Sequence, residues 1–184
     1  YGRSGEGWEI LPERDPPSLP LAVEVVQAYR GGAPLAFDDA RATRLAPTEV
    51  PASEEAWIAL GRRVFFEYPI SINLTYTALI STPDGLETTG FLTDQGAWVG
   101  LRLLRDEDGT VRVGRTCSHC HASFAPTGAL DGALSNRALD LGHAKLAVLG
   151  AVPLWSLPEL EETSLDNLER LGPGRTDSLV DGVF

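Results

Sequence analysis

The chain has 184 residues, with a hydrophobic share of 43% and a charged share of 22%, the composition of a globular protein long enough for one good core. Its net charge of -11 excludes a nucleic-acid binder, which needs clustered Lys and Arg. No apolar run approaches the roughly 18 residues that span a bilayer; the longest, Leu146 to Trp155, is broken by Gly150 and Pro153, so no transmembrane segment is expected.

Residues 1–20 are rich in Gly, Pro and charge and predict an extended arm, with Trp8, Ile10 and Leu11 as its anchors. Leu19 to Arg30 places Leu21, Val25, Val26 and Tyr29 near helical spacing, and Gly31-Gly32 stops it, which predicts a short amphipathic helix. A connector follows from Phe37 to Val50, with one helical turn at Asp38 to Arg44. The strongest helix signal is Ser53 to Glu67. Ser53 is an N-cap, Glu54 and Glu55 suit the positive end, and Ala56, Trp57, Leu60, Val64 and Phe65 form an apolar face.

Ile70 to Ile80 alternates apolar and polar residues with β-branched Ile and Thr, which predicts a strand, and Pro83-Asp84-Gly85 predicts a turn. Val99 to Arg105 and Thr110 to Arg115 flank Asp106-Glu107-Asp108-Gly109 and predict a hairpin. Beyond residue 121 a loop leads to a helix over Asn136 to Gly150. A second helix, Pro158 to Leu171, carries Glu159, Glu161, Glu162, Asp166 and Glu169 and reads as a solvated face.

The chemistry concentrates in Cys117-Ser118-His119-Cys120-His121, which contains both cysteines of the chain. C-x-x-C-H is the attachment sequence of covalent c-type haem. Two thiols add across the two vinyl groups, the two intervening residues set their separation, and the histidine that follows ligates the iron from the proximal side. Cys117 and Cys120 are therefore the expected thioether anchors of one haem c, and His121 its proximal ligand. Two other readings use the same residues. A thioredoxin-like disulfide needs a βαβ setting that the flanks do not offer, and a zinc site needs two more ligands from His119, His121 or His143.

The absence of methionine removes His/Met ligation within these residues. His119 lies inside the attachment loop, on the proximal side. His143, on the helix 22 residues downstream of His121, is the candidate sixth iron ligand, against the alternatives of packing or capping within that helix. Arg102, Arg105, Arg112 and Arg115 precede the motif, and Arg115 is the first choice to pair with a propionate; ordinary surface arginine is the reading for the others. Trp57, Trp98 and Phe124 are candidates for a haem wall or for core packing.

Ala59-Leu60-Gly61-Arg62-Arg63-Val64-Phe65-Phe66-Glu67-Tyr68-Pro69 resembles the leading helix of the di-haem cytochrome c peroxidase-like group of bacterial haem c proteins, where a similar L-G-x-x-L-F-F-D-P stretch precedes the C-x-x-C-H. Asp131-Gly132, Asn136 to Gly142 and Gly172 to Asp177 resemble stretches that follow the haem motif in longer bacterial c-type cytochromes, which implies a gene product continuing past residue 184. The fold implied is mainly α, a cytochrome c-like helical core around one covalent haem, with an inserted small antiparallel β-sheet. Residues 1–50 are then an arm and short helix, and 51–184 the haem domain, with the β insertion at about 70–115.

The function implied is electron transfer by an exported mono-haem cytochrome, a carrier rather than an enzyme, relaying electrons to or within a larger redox assembly. The alternative is a haem c enzyme, peroxidase-like or a small-molecule oxidase subunit, with an open distal iron site and His143 as its acid/base group. The start at Tyr1 and the lack of methionine fit a processed protein of the bacterial periplasm or another extracytoplasmic space. An acidic carrier is steered toward a redox partner with a basic docking surface, such as a membrane-bound complex.

Overall fold

The computed structural model describes residues 15–45, 50–72, 74–105, 108–132, 134–151, 168–170 and 172–174. In chain order its elements are β1 (Ser18–Ala22), α1 (Val23–Arg30), α2 (Glu54–Glu67), β2 (Ser71–Ile72), α3 (Leu74–Ser81), β3 (Thr93–Asp94), β4 (Ala97–Arg105), β5 (Val111–Arg115), α4 (Ser118–His121), β6 (Ser123–Phe124), β7 (Leu130–Asp131) and α5 (Leu141–Ala151). An antiparallel sheet in the order β1-β4-β5-β2, with β3 also paired to β4, is the centre of the molecule.

The expected mainly α fold is thus corrected to a mixed α/β fold built on that sheet. The reason lies in where apolar surface is buried. β4 is covered on both sides: Leu101 and Leu103 join Val113 of β5 in the main core, while Arg102 and Leu104 point to the other face and are buried there too. α1, α3 and α5 complete the core with Val26, Tyr76, Leu79, Ile80, Leu141, Ala144, Val148 and Leu149. At about 2 kcal/mol for each fully buried aliphatic side chain, this sheet-centred set dominates the stability of the fold. The helix expected to lead a helical core, α2, buries none of its residues.

Ser53 caps α2 as expected, its Oγ accepting the Ala56 N–H at 3.2 Å. The hairpin of β4 and β5 also forms, with Leu103 opposite Val113. Its described turn residues include Gly109 at φ 80°, and Asp108 accepts the Thr110 N–H at 2.8 Å and pairs with Arg112 at 2.8 Å.

Three segments differ from the expected elements. Leu19 to Ala22 pair with β4 instead of starting a helix; Pro20, which has no N–H to give, is tolerated because β1 lies at the sheet edge. Ile70 to Ile80 is a strand only at Ser71–Ile72 and then the helix α3. α3 packs against β5, α1 and α5 together, so apolar residues serve on more than one of its sides and its sequence lacks a clear 3.6-residue period. α5 begins at Leu141 rather than Asn136, because Asn136 and Asp140 are used to shape the loop ahead of it. Asn136 donates to the Gly90 carbonyl at 3.0 Å and accepts the Ala138 N–H at 3.1 Å.

The connector contains the expected turn, with the Ala42 N–H donating to the Asp38 carbonyl at 3.0 Å. The expected arm anchors Trp8, Ile10 and Leu11 lie outside the described residues, as does the helix from Pro158 except for 168–170, which are helical. Among the described residues no helix is long and apolar enough to cross a membrane.

Candidate cofactor attachment site

β5 delivers the chain to the motif. Thr116 continues from the strand, its N–H donating to the Gly100 carbonyl at 2.9 Å, and α4 then forms a single turn closed by His121 N–H to Cys117 carbonyl at 3.2 Å. The turn has two sides. Thr116, Ser118 and His119 are buried, with 2.8 Å between the Thr116 and Ser118 hydroxyl oxygens. Cys117 and Cys120 are half-buried thiols and His121 is exposed. The Cys120 carbonyl accepts the Asn136 N–H at 2.9 Å, tying the turn to the loop before α5.

Gly100 makes this close docking possible. It interrupts the alternation of β4, with Trp98 and Leu101 both reaching the core, and β1 is out of register with β4 across the same stretch. Its φ is 75°, and a Cβ there would lie 2.2 Å from the His119 backbone nitrogen. A glycine inside a strand signals a bulge or a close backbone approach, and here it provides both.

His119 is the anchor of the buried side. Its ring packs against Phe91 (centroids 4.8 Å apart) and edge-on to Tyr76 (5.3 Å), and its Nε2 lies 3.2 Å from the Tyr76 hydroxyl. Burial, reinforced by the Arg115 guanidinium, lowers its pKa from 6.5 to about 3, so the imidazole is neutral. Its buried Nδ1 has no hydrogen-bond partner.

The four upstream arginines have separate fates. Arg102 is buried, not a surface residue: it donates to the Ser18 hydroxyl at 2.9 Å and to the Ser18 carbonyl at 3.2 Å. Arg105 pairs with Asp39 at 3.0 Å and Arg112 with Asp108 at 2.8 Å. Arg115, half-buried, reaches the Tyr76 hydroxyl at 3.4 Å, which places it next to the motif's anchor. Trp98 is core, whereas Trp57 and Phe124 are exposed.

His143 lies in the first turn of α5, exposed, with Nδ1 2.8 Å from Asp140 Oδ2. Asp140 Oδ1 also accepts the His143 N–H at 2.9 Å, so one carboxylate caps the helix and orients the imidazole. Nε2 is the ring nitrogen not engaged by Asp140.

Apolar surface is left uncovered on α2 and at a few other positions. Trp57 (54% exposed), Ile58 (64%) and Val64 (39%) on α2 are joined in this respect by Ile70, Phe124 and Leu134. Trp57, Gly61 and Val64 share one stripe of α2, and a Cβ at Gly61 would meet nothing within 4 Å. The hairpin of β6 and β7, which begins two residues after His121, packs on the same helix: a Cβ at Gly132 would come within 2.8 Å of the Phe65 ring. Between them is a cavity of about 550 Å³, lined by Arg62, Phe65 and Phe66 of α2 and by the hairpin from Ala125 to Gly132. Arg62 stacks over Phe66 at 5.7 Å and forms no ion pair with a carboxylate of the described residues.

The donor set, two thiols and a histidine in C-x-x-C-H order, has the chemistry that a covalent haem would use. Cys117 and Cys120 are half-buried and the His121 imidazole is exposed, at the spacing of that motif, whereas the cavity beside Arg62 has none of the three in its lining. Among the described residues no three His, Cys, Asp or Glu side chains converge as a metal ion would require. A haem makes no such demand, because the thiols bond the macrocycle edge and only the histidine reaches the iron. Arg62, Tyr76 and the role of Gly100 escaped the sequence reading; the lone glycine in an apolar strand was the one available signal. No known family model, curated protein or solved structure matches the chain.

Proposed function

We propose that the chain is a mono-haem c-type cytochrome, exported to the bacterial periplasm or another extracytoplasmic compartment, that relays electrons to or within a larger redox assembly. The observation that carries this reading is the C-x-x-C-H turn with Ser118 and His119 buried, its cysteines half-buried and His121 exposed, followed at once by a hairpin that walls a cavity against α2. Cys117 and Cys120 would hold the haem as thioethers and His121 would be its proximal ligand. When bound, the haem supplies a one-electron couple.

The chain's own residues do the rest. Phe65, Phe66 and Leu130 exclude water from one side of the cavity, and the guanidinium of Arg62 or Arg115 is suited to a propionate carboxylate. His143, oriented by Asp140, is the candidate sixth ligand.

Intact mass and a pyridine haemochrome assay test the reading on full-length protein made in a host that attaches haem. The expected result is an excess of about one haem over the polypeptide; apoprotein mass with zinc on metal analysis would replace the reading with a zinc domain. The optical spectrum then separates carrier from enzyme. A low-spin spectrum that ignores cyanide and carbon monoxide, and turns high-spin in His143→Ala, is expected. High-spin ferric haem with peroxide turnover would sink the carrier.

A further inference from the structure

We propose that Tyr76 and His119 are positioning residues, whose buried hydrogen bond locks the rotation of α4 and so fixes the half-buried Cys117 and Cys120 and the exposed His121 relative to one another in a pre-formed site. The inference deepens the haem reading and rests on it only for the identity of what is finally held.

A C-x-x-C-H motif asks of its two intervening residues only that they span a turn. Here those residues, Ser118 and His119, are the most deeply buried part of the motif. Four residues are too few for a helix to persist by itself, so contacts outside α4 must fix its orientation. Gly100 brings the sheet against the turn's backbone, and backbone bonds at Thr116 and Cys120 tie its two ends, but none of these engages a side chain of the two intervening residues. The bond between His119 Nε2 and the Tyr76 hydroxyl, at 3.2 Å, adds that side-chain direction.

Successive residues of a helix are about 100° apart, so a rotation that released His119 would carry Cys120 or Ser118 into its place. The choice of residue is also informative. An apolar side chain of similar size could fill the space between Tyr76 and Phe91 without leaving a buried nitrogen unpartnered, as His119 Nδ1 is. What the imidazole adds is a directional bond to α3, which gives Tyr76, Leu79 and Ile80 to the core. Arg115, at 3.4 Å from the same hydroxyl, links this pair back to the end of β5.

The test uses the haem-free full chain. Iodoacetamide alkylation of Cys117 and Cys120, followed by peptide mass spectrometry, gives the ratio of the two rates in wild type, Tyr76→Phe, His119→Leu and His119→Gln. A several-fold change of that ratio is expected in Tyr76→Phe and His119→Leu, with a return toward wild type in His119→Gln, which keeps a polar partner for the hydroxyl. If His119→Leu does not fold, Tyr76→Phe decides, since it removes a single oxygen. An unchanged ratio in folded Tyr76→Phe overturns the proposal, and so does an equal loss of amide-exchange protection in β4 and β5, which would mark general loosening. The same variants are weighed after haem attachment. A wild-type chain that never gains haem mass ends the haem reading while leaving the alkylation result intact.

Discussion

Gly100 and His119 form one device: the glycine lets the C-x-x-C-H turn approach the sheet, and the imidazole bonds the turn to Tyr76. Gly100→Ala would place a methyl 2.2 Å from the His119 nitrogen in a backbone conformation disfavoured for alanine, and should cost about 3 kcal/mol in urea unfolding of the haem-free chain. His119 also sets a pH dependence. Burial holds its folded pKa at about 3 against 6.5, so below 6.5 the unfolded chain takes up a proton that the folded chain refuses. Stability from this source is complete above 6.5 and declines as the pH falls toward 3. Urea midpoints at about pH 7 and about pH 4 should therefore differ more in wild type than in His119→Gln; equal differences would remove His119 as the cause. Nothing in the motif announces this role, because the burial of His119 depends on Tyr76 and Phe91, far from it in sequence.

Among the elements, α2 and α3 show opposite relations between sequence and structure. α2 has the stronger helical signature, with its cap, its charged ends and an apolar stripe, yet Trp57, Ile58 and Val64 remain exposed. An amphipathic pattern states that a face seeks cover, not what covers it. Replacing Trp57 and Val64 by Ser should change the stability of the haem-free chain by no more than about 0.5 kcal/mol. If the chain carries a haem as proposed, the same change should lower the thermal midpoint of the haem-loaded form by several degrees, read in parallel melts; equal effects on both forms would show that the stripe does not face the haem. α3 is the reverse case. It is buried by β5, α1 and α5 at once, and its run of Ile, Thr and Leu therefore carries strand-like chemistry without helical period.

For the whole molecule, the net charge of -11 governs encounter with other proteins. If the chain is a carrier, its electron-transfer rate with a basic redox partner, followed by stopped flow, should fall steeply as the Debye length shrinks from about 30 to about 10 Å between about 0.01 and 0.1 M salt; a flat response would remove electrostatic steering from the account. By itself the sequence determined the local features: the cap at Ser53, the hairpin at Asp108-Gly109, and the C-x-x-C-H spacing, each of which depends on residues within a few positions of one another. Tertiary structure alone decided that the sheet, not the helices, is the centre, that Arg102 is buried against Ser18, and that α4 is pinned through Tyr76. The physical reason is the same in each case. Burial and direction come from partners distant along the chain, and a linear pattern records a side chain's chemistry without recording which surface it will meet.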